Sequence, residues 1–413
     1  MINGYIFSGA WTQRTKIHVL EFYDMLLGRK PNIAISSYEA KKISANICDS
    51  KVNYEEEDES TYLKFSKKEY NFKYIDDGTV FCWKSIEKTG KEEIKKAVEE
   101  TTKSFENSII ESFKKVYSAG APTPRIYFQV TKRAVVIFLR NPKQVKEIFD
   151  SMEDEIILKK TVSGIDAYFG RNTYVFVDRN LKAEKIPLYE EIAEASFFII
   201  DFEKVLKIVL EDHRIVWNEI EKIKRKSEVV VGDLPFVRDQ LMDLLEDISY
   251  IETRLEQMED YLEKKKDENI IIKNPVFKRK VEKMGVIYRY HTKLWKMTKE
   301  FNDSAIELLN LVYSENEQAE MNFLQIIFLI GTIAGLCSLG LLSDDTFRLF
   351  DAAGNLIATG EYYDFNAVEL IGLVFLIAII TLILFSIIRY VFEKTKKFKR
   401  IKFSRLVKGP KST

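Results

Sequence analysis

Met321–Leu342 reads MNFLQIIFLIGTIAGLCSLGLL, 22 residues without a charge, and Leu370–Ile388 reads LIGLVFLIAIITLILFSII, 19 more. A helix needs roughly 20 apolar residues to cross a hydrocarbon core about 30 Å thick, so the sequence predicts two membrane spans. Buried core helices are the alternative, but two such runs in an otherwise mixed chain favour spans. The flanks orient them. From Arg389 onward stand ten basic residues and one acid, whereas residues 343–366 hold five acids and one base. Lys and Arg stay cytoplasmic, so the expectation is a multi-pass protein of the cell membrane, both termini cytoplasmic and the acidic segment outside.

Working outward gives the division of the chain. A cytosolic α/β sensor domain is expected at 1–185, an antiparallel long helical hairpin at 186–270, and a stalk helix at 271–320. The first span follows at 321–342, an outer hairpin loop at 343–366, the second span at 367–392 and a basic tail at 393–413. The fold class is therefore an α+β cytosolic domain with a coiled-coil hairpin and a stalk continuous with the first of two C-terminal transmembrane helices. Charges balance overall, 63 Lys+Arg against 63 Asp+Glu, which argues against a nucleic-acid binder with an evenly basic face. With 13% aromatics and only 8 Pro, low-complexity disorder is excluded. Cys48, Cys82 and Cys337 form no CxxC and read as thiols of a reducing compartment. Met1–Leu20 has no apolar leader core, so the N-terminus is expected to stay in the cytosol.

In the body, Asn71–Trp83 reads as a hairpin turning at Asp76-Asp77-Gly78. Arg125–Phe138 reads as a strand pair turning at Lys132-Arg133, and Thr173–Val177 as a short strand. Helices are expected at Glu92–Tyr117 and Pro142–Lys159. From Leu188 to Ile223, and again from Val237 to Leu262, apolar residues alternate three- and four-residue steps, the signature of two long helices with one seam each. His213 occupies a seam position. Asp233 suits the N-cap of the second helix, and residues 233–263 carry ten acids against two bases. That face is ordinarily solvated; a divalent-cation sensor is the sharper reading.

A third helix starts near Pro275. Its seam is Ile287, Tyr290, Leu294, Met297, Phe301, Ser304, Leu308 and Leu311, turning polar at Glu315, Gln318 and Asn322. The same register gives Gln325, Leu329, Thr332 and Leu336. Polar groups at membrane depth face a bundle interior or a water path, so Asn322, Gln325, Leu329, Thr332 and Leu336 are the candidate pore lining. Interhelical hydrogen bonding is the plain alternative, with Gly331 and Gly335 as a small-residue packing stripe. Thr346–Phe350 and Leu356–Thr359 should form an outer hairpin whose acids Asp344, Asp345 and Asp351 could gather cations, unless they are merely solvated. Arg125, Lys132, Arg133 and Arg140 are candidate phosphate-ligand residues, although Lys132-Arg133 also suits an exposed turn. Two spans cannot enclose a pore, so a closed homo-oligomer is expected.

The order of elements from about residue 120 resembles the CorA-type metal-ion transporter superfamily, with Asn322 in Glu320-Met321-Asn322 at the entrance of the first span. The resemblance implies a homopentamer lined by that span. The family's Gly-Met-Asn signature is missing: the stretch reads Leu339-Gly340-Leu341-Leu342-Ser343-Asp344, so magnesium selectivity does not carry over. Members without the motif include CorA-like effectors of type III CRISPR antiviral defence, which implies a nucleotide second messenger as partner. The alternatives are a divalent-metal transporter gated by its own metal and a non-conducting membrane-anchored coiled-coil scaffold. No resident cofactor is implied beyond a divalent cation or nucleotide ligand. No P-loop, GxGxxG or HExxH is present and the histidines are scattered, so no enzyme is expected.

Overall fold

The computed structural model describes residues 2–11, 18–30, 35–49, 51–57, 60–88, 90–118, 133–225, 229–230, 233–268, 271–340, 346–350, 356–361 and 400–401, with isolated positions between 376 and 390. The chain divides into two compact units, Met1–Ile215 with Ser249–Lys296, and Val216–Ile248 with Met297–Thr413.

The first unit is built on strands β1 (Gly4–Trp11), β2 (Asn53–Glu57), β3 (Ser60–Lys67), β4 (Tyr70–Ile75), β5 (Thr79–Ile86), β6 (Ala134–Leu139), β7 (Leu158–Val162), β8 (Ile165–Phe169) and β9 (Thr173–Val177). Its short helices are α1 (Val19–Leu26), α2 (Ser37–Ile47), α3 (Lys91–Phe105), α4 (Glu111–Ser118) and α5 (Val145–Ser151). A π-helical turn, Glu106–Ile110, joins α3 to α4. The strands make one sheet in the order β2-β3-β4-β5-β1-β6-β9-β8-β7. Neighbours run antiparallel except β6 and β9, which are parallel.

The sheet is covered on both faces, which explains its reading in the sequence. On β1, Ile6 and Ala10 join the apolar clusters shared with the short helices. The alternate residues Tyr5 and Trp11 point to the other face, against Tyr189, Phe198 and Phe202 of α6 (Ile186–Arg225). A strand buried on both sides is apolar throughout, so GYIFSGAW shows no alternation of polar and apolar residues. The expected hairpin at Asn71–Trp83 is β4–β5, turning at Asp76-Asp77-Gly78, and the expected strand at Thr173–Val177 is β9. Arg125–Lys132 lies outside the described residues. Ala134–Leu139 is a strand, but it pairs with β1 and β9. The helix expected over Pro142–Lys159 stops at Ser151, and residues 158–162 form edge strand β7.

After β10 (Val229–Val230) come α7 (Leu234–Glu268) and α8 (Pro275–Gly340), and the expected seams of α6 and α7 are buried apart from Leu188, His213 and Leu244, which are half-buried. In the second unit Ile223, Leu234, Val237, Leu241, Ile306, Leu309 and Val312 form one apolar cluster. There β11 (Thr346–Phe350) and β12 (Leu356–Glu361) pair antiparallel as the expected hairpin, and β10 pairs with β13 (Arg400–Ile401).

The membrane expectation is corrected here. Among the described residues no helix is long and apolar enough to cross a membrane. The two transmembrane helices, and with them the multi-pass placement in a cell membrane, are therefore not upheld. On α8 the polar residues Glu315, Glu317, Gln318, Glu320, Asn322 and Gln325 precede and enter the apolar run, within a helix that continues to Gly340. The side chains at 330 and 333–340, and most of the second run Leu370–Ile388, lie outside the described residues.

Candidate functional site

The described residues of the expected pore line lie on the exposed surface of the single chain. Asn322, Gln325, Leu329 and Thr332 are not buried on α8, and Thr332 Oγ1 donates back to the Phe328 carbonyl at 2.8 Å. A Cβ on Gly331 would meet nothing within 4 Å, so the described surroundings hold no packing partner for it. The side chain of Leu336, and the surroundings of Gly335, lie outside the described residues, as do Asp344, Asp345, Asp351, Arg125 and Lys132. With no spanning helix found, the cation channel and the metal transporter are both overturned as readings.

The two remaining basic candidates stand apart. Arg133 precedes β6 and Arg140 follows it, and six extended residues put them roughly 20 Å apart. Arg140 is engaged structurally: its Nη2 donates to the Leu181 carbonyl at 3.0 Å. Arg133 keeps a guanidinium nitrogen, Nε, 3.6 Å from Glu106 Oε1.

The site the sequence did not announce is an ionic layer between the sheet and α6. In Tyr189–Asp201, YEEIAEASFFIID, Glu190, Glu194 and Asp201 share one helix face and are all buried. Lys64 on β3 stands directly opposite Lys73 on β4, a like-charge pair that is unfavourable alone. Glu190 resolves it, with Oε2 at 3.6 Å from Lys64 Nζ and 3.8 Å from Lys73 Nζ. Burial raises the Glu190 carboxyl above its ordinary pKa, against the pull of the two lysines. Lys73 Nζ also lies 4.4 Å from the centre of the Tyr62 ring.

Beside it, Lys265 of α7 inserts its amine between Asp77 and Glu194, 2.8 Å from Asp77 Oδ2 and hydrogen-bonded to Glu194. Burial pulls the amine's pKa down, and the two carboxylates overcome it, leaving it raised. Asp77 meanwhile accepts from the Thr79 amide and hydroxyl at 2.8 and 2.9 Å, which fixes the β4–β5 turn. Asp201 accepts the Trp11 amide at 2.9 Å and Lys204 at 3.0 Å. These groups are paired with one another, and their contacts position α6 and α7 against the sheet. Among the described residues no three His, Cys, Asp or Glu side chains gather to hold a metal ion, so the acidic face of α7 offers no such cluster. The weak signal for the layer was a run of carboxylates inside an otherwise apolar helix.

His213 behaves as a seam histidine, hydrogen-bonded to the Leu294 backbone and edge-on to Trp295 at 5.4 Å. Burial lowers its pKa and that of His291, which His213 depresses further. Folded values below the unfolded value near 6.5 mean the unfolded chain binds more protons in acid. Stability is therefore expected to fall as the pH drops from 7 through the unfolded value toward the folded ones. Urea midpoints at pH 7 and 5.5 check this, and His291→Leu should flatten the difference; an unchanged difference would remove His291 from the account. Compared with known proteins, the chain matches no family model and no curated protein.

Proposed function

We propose that the chain is a non-catalytic assembly protein that associates with copies of itself through α8. One observation carries this reading: α8 has two apolar seams, and among the described residues only one is covered. The covered seam is Phe277, Val281, Met284, Tyr288 and Trp295 in the first unit, and Ile306, Leu309 and Val312 in the second. The other runs at seven-residue intervals. Met297 and Leu311 are 62% and 54% exposed, Ser304 between them is exposed, and Phe301 and Leu308 are half-buried. In the first unit the same register holds Tyr290, 57% exposed.

A sustained seven-residue repeat is what knobs-into-holes packing between helices requires, and a helix serving only its own hairpin needs one seam. A symmetric arrangement of α8 helices satisfies the second, and closure of the ring limits its size. The order of α+β head, helical hairpin and long helix α8 also supports a distant architectural relation to the CorA-type proteins, without their transport activity.

Sedimentation of the purified full chain tests the reading. The expected result is a defined homo-oligomer, with Met297→Glu plus Leu311→Glu raising the dissociation constant by roughly a hundredfold or more. A monomeric wild type at micromolar concentration would end the proposal.

A further inference from the structure

We propose that Arg133 and Arg171, at one end of the parallel β6–β9 pair, form a binding site for the phosphate group of a small ligand. The Arg133 side chain is only 12% exposed, yet its Nε makes no hydrogen bond among the described residues. The contact to Glu106 at 3.6 Å is a charge contact and not a hydrogen bond, and Glu106 is itself 48% exposed. A guanidinium carries five fixed N–H donors, and leaving a buried one of them, here Nε, without an acceptor is costly. A tetrahedral oxyanion supplies acceptors in the geometry that fork requires.

The second arginine follows from the register. Val135 pairs with Thr173, and the Val135 amide donates to the Asn172 carbonyl at 2.9 Å. Arg133 and Arg171 lie two residues before the paired positions, so both sit at the same end of the strand pair. The turn carrying Arg171 is held rigid by Asp154, whose carboxylate accepts the Arg171, Asn172 and Thr173 amides at 3.0, 2.9 and 2.9 Å. Burial would raise the Asp154 carboxyl, and these amide bonds more than reverse it, leaving its pKa lowered. Glu106, a half-exposed carboxylate, is the charge contact of Arg133, and Arg171 is an exposed arginine at the same end of the strand pair, on the turn that the ionised Asp154 fixes through its amide bonds. Glu106 begins the π-helical turn, an irregularity that recurs beside binding sites. It occupies the position of a competitor that an incoming dianion displaces.

The test is calorimetric titration of the full chain with inorganic phosphate, with glycerol 3-phosphate, and with acetate as a monoanion. Both phosphates are expected to bind and acetate is not. Equal affinity would mean recognition of the phosphate group alone, and tighter binding of the ester would mean that its remainder contributes; either supports the site. Arg133→Gln and Arg171→Gln should each weaken binding about tenfold or more. Glu106→Gln should tighten it, an outcome a merely structural role for these residues would not produce. No binding at millimolar phosphate, indifference to Arg133→Gln in a chain with native circular dichroism, or weaker binding in Glu106→Gln would overturn the proposal.

Discussion

Lys265→Met is expected to destabilise the chain by about 3–5 kcal/mol, because removing the amine leaves two carboxylates in a nearly dry site with no cation. Asp77 and Glu194 both approach the amine, and the Lys265 side chain is only 5% exposed. Against a total stability of about 5–15 kcal/mol that is a large share. The loss is not what the triad adds to stability. It is the cost of breaking it on one side, since a buried ion pair commonly does no better than apolar packing of equal volume. Adding Asp77→Asn and Glu194→Gln to Lys265→Met should therefore recover most of the loss, because Asp77→Asn retains a side-chain oxygen to accept the Thr79 amide. Urea midpoints of the single and triple variants decide the matter. A wild-type midpoint for Lys265→Met would show that the amine does not neutralise this layer.

Gly9→Ala is expected to cost about 3 kcal/mol or more, at the upper end of what overpacking a core does. Gly9 is the residue of β1 opposite Phe81 on one side and Ala134 on the other. A Cβ there would lie 2.5 Å from Phe81 Cβ, 2.8 Å from the Val80 carbonyl oxygen and 2.9 Å from a ring carbon of Phe197. Two of those three belong to β5, which cannot withdraw without losing its ladder to β1. Gly9→Val should prevent the head from folding. A thermal midpoint for Gly9→Ala within about a degree of wild type would mean the strands separate without cost.

How legible this was depended on the range of the forces involved. Local chemistry was readable: Asp76-Asp77-Gly78 turned where the residues require it, and the three- and four-residue steps from Leu188 to Ile223 and from Val237 to Leu262 were helices. GYIFSGAW was missed because a strand buried on both faces carries no period, and its partners lie beyond residue 78. The Pro142–Lys159 helix was drawn too long because an edge strand with two exposed lysines looks like a helix's solvated side. On α8 the expected seam is not the one buried in the structure. The predicted seam is the half-open one, and the chain fills the adjacent seam. The apolar run at 321–342 invited a membrane reading, although polar residues recur through Gln325. Arg133 and Arg140 were grouped because they are close in sequence, and a six-residue strand sets them at opposite ends. Arg171 went unnoticed because only a parallel pairing brings it beside Arg133.

The place of β1 at the middle of the sheet has a consequence for biosynthesis. This strand is synthesised before both of its neighbours, which run to Ile86 and Leu139, and part of its cover is Phe198 on α6. At typical elongation rates it waits on the order of ten seconds for its second neighbour. During that time an apolar eight-residue segment has both hydrogen-bonding edges open. The head therefore closes late, once the chain through Leu139 and Phe198 has been made.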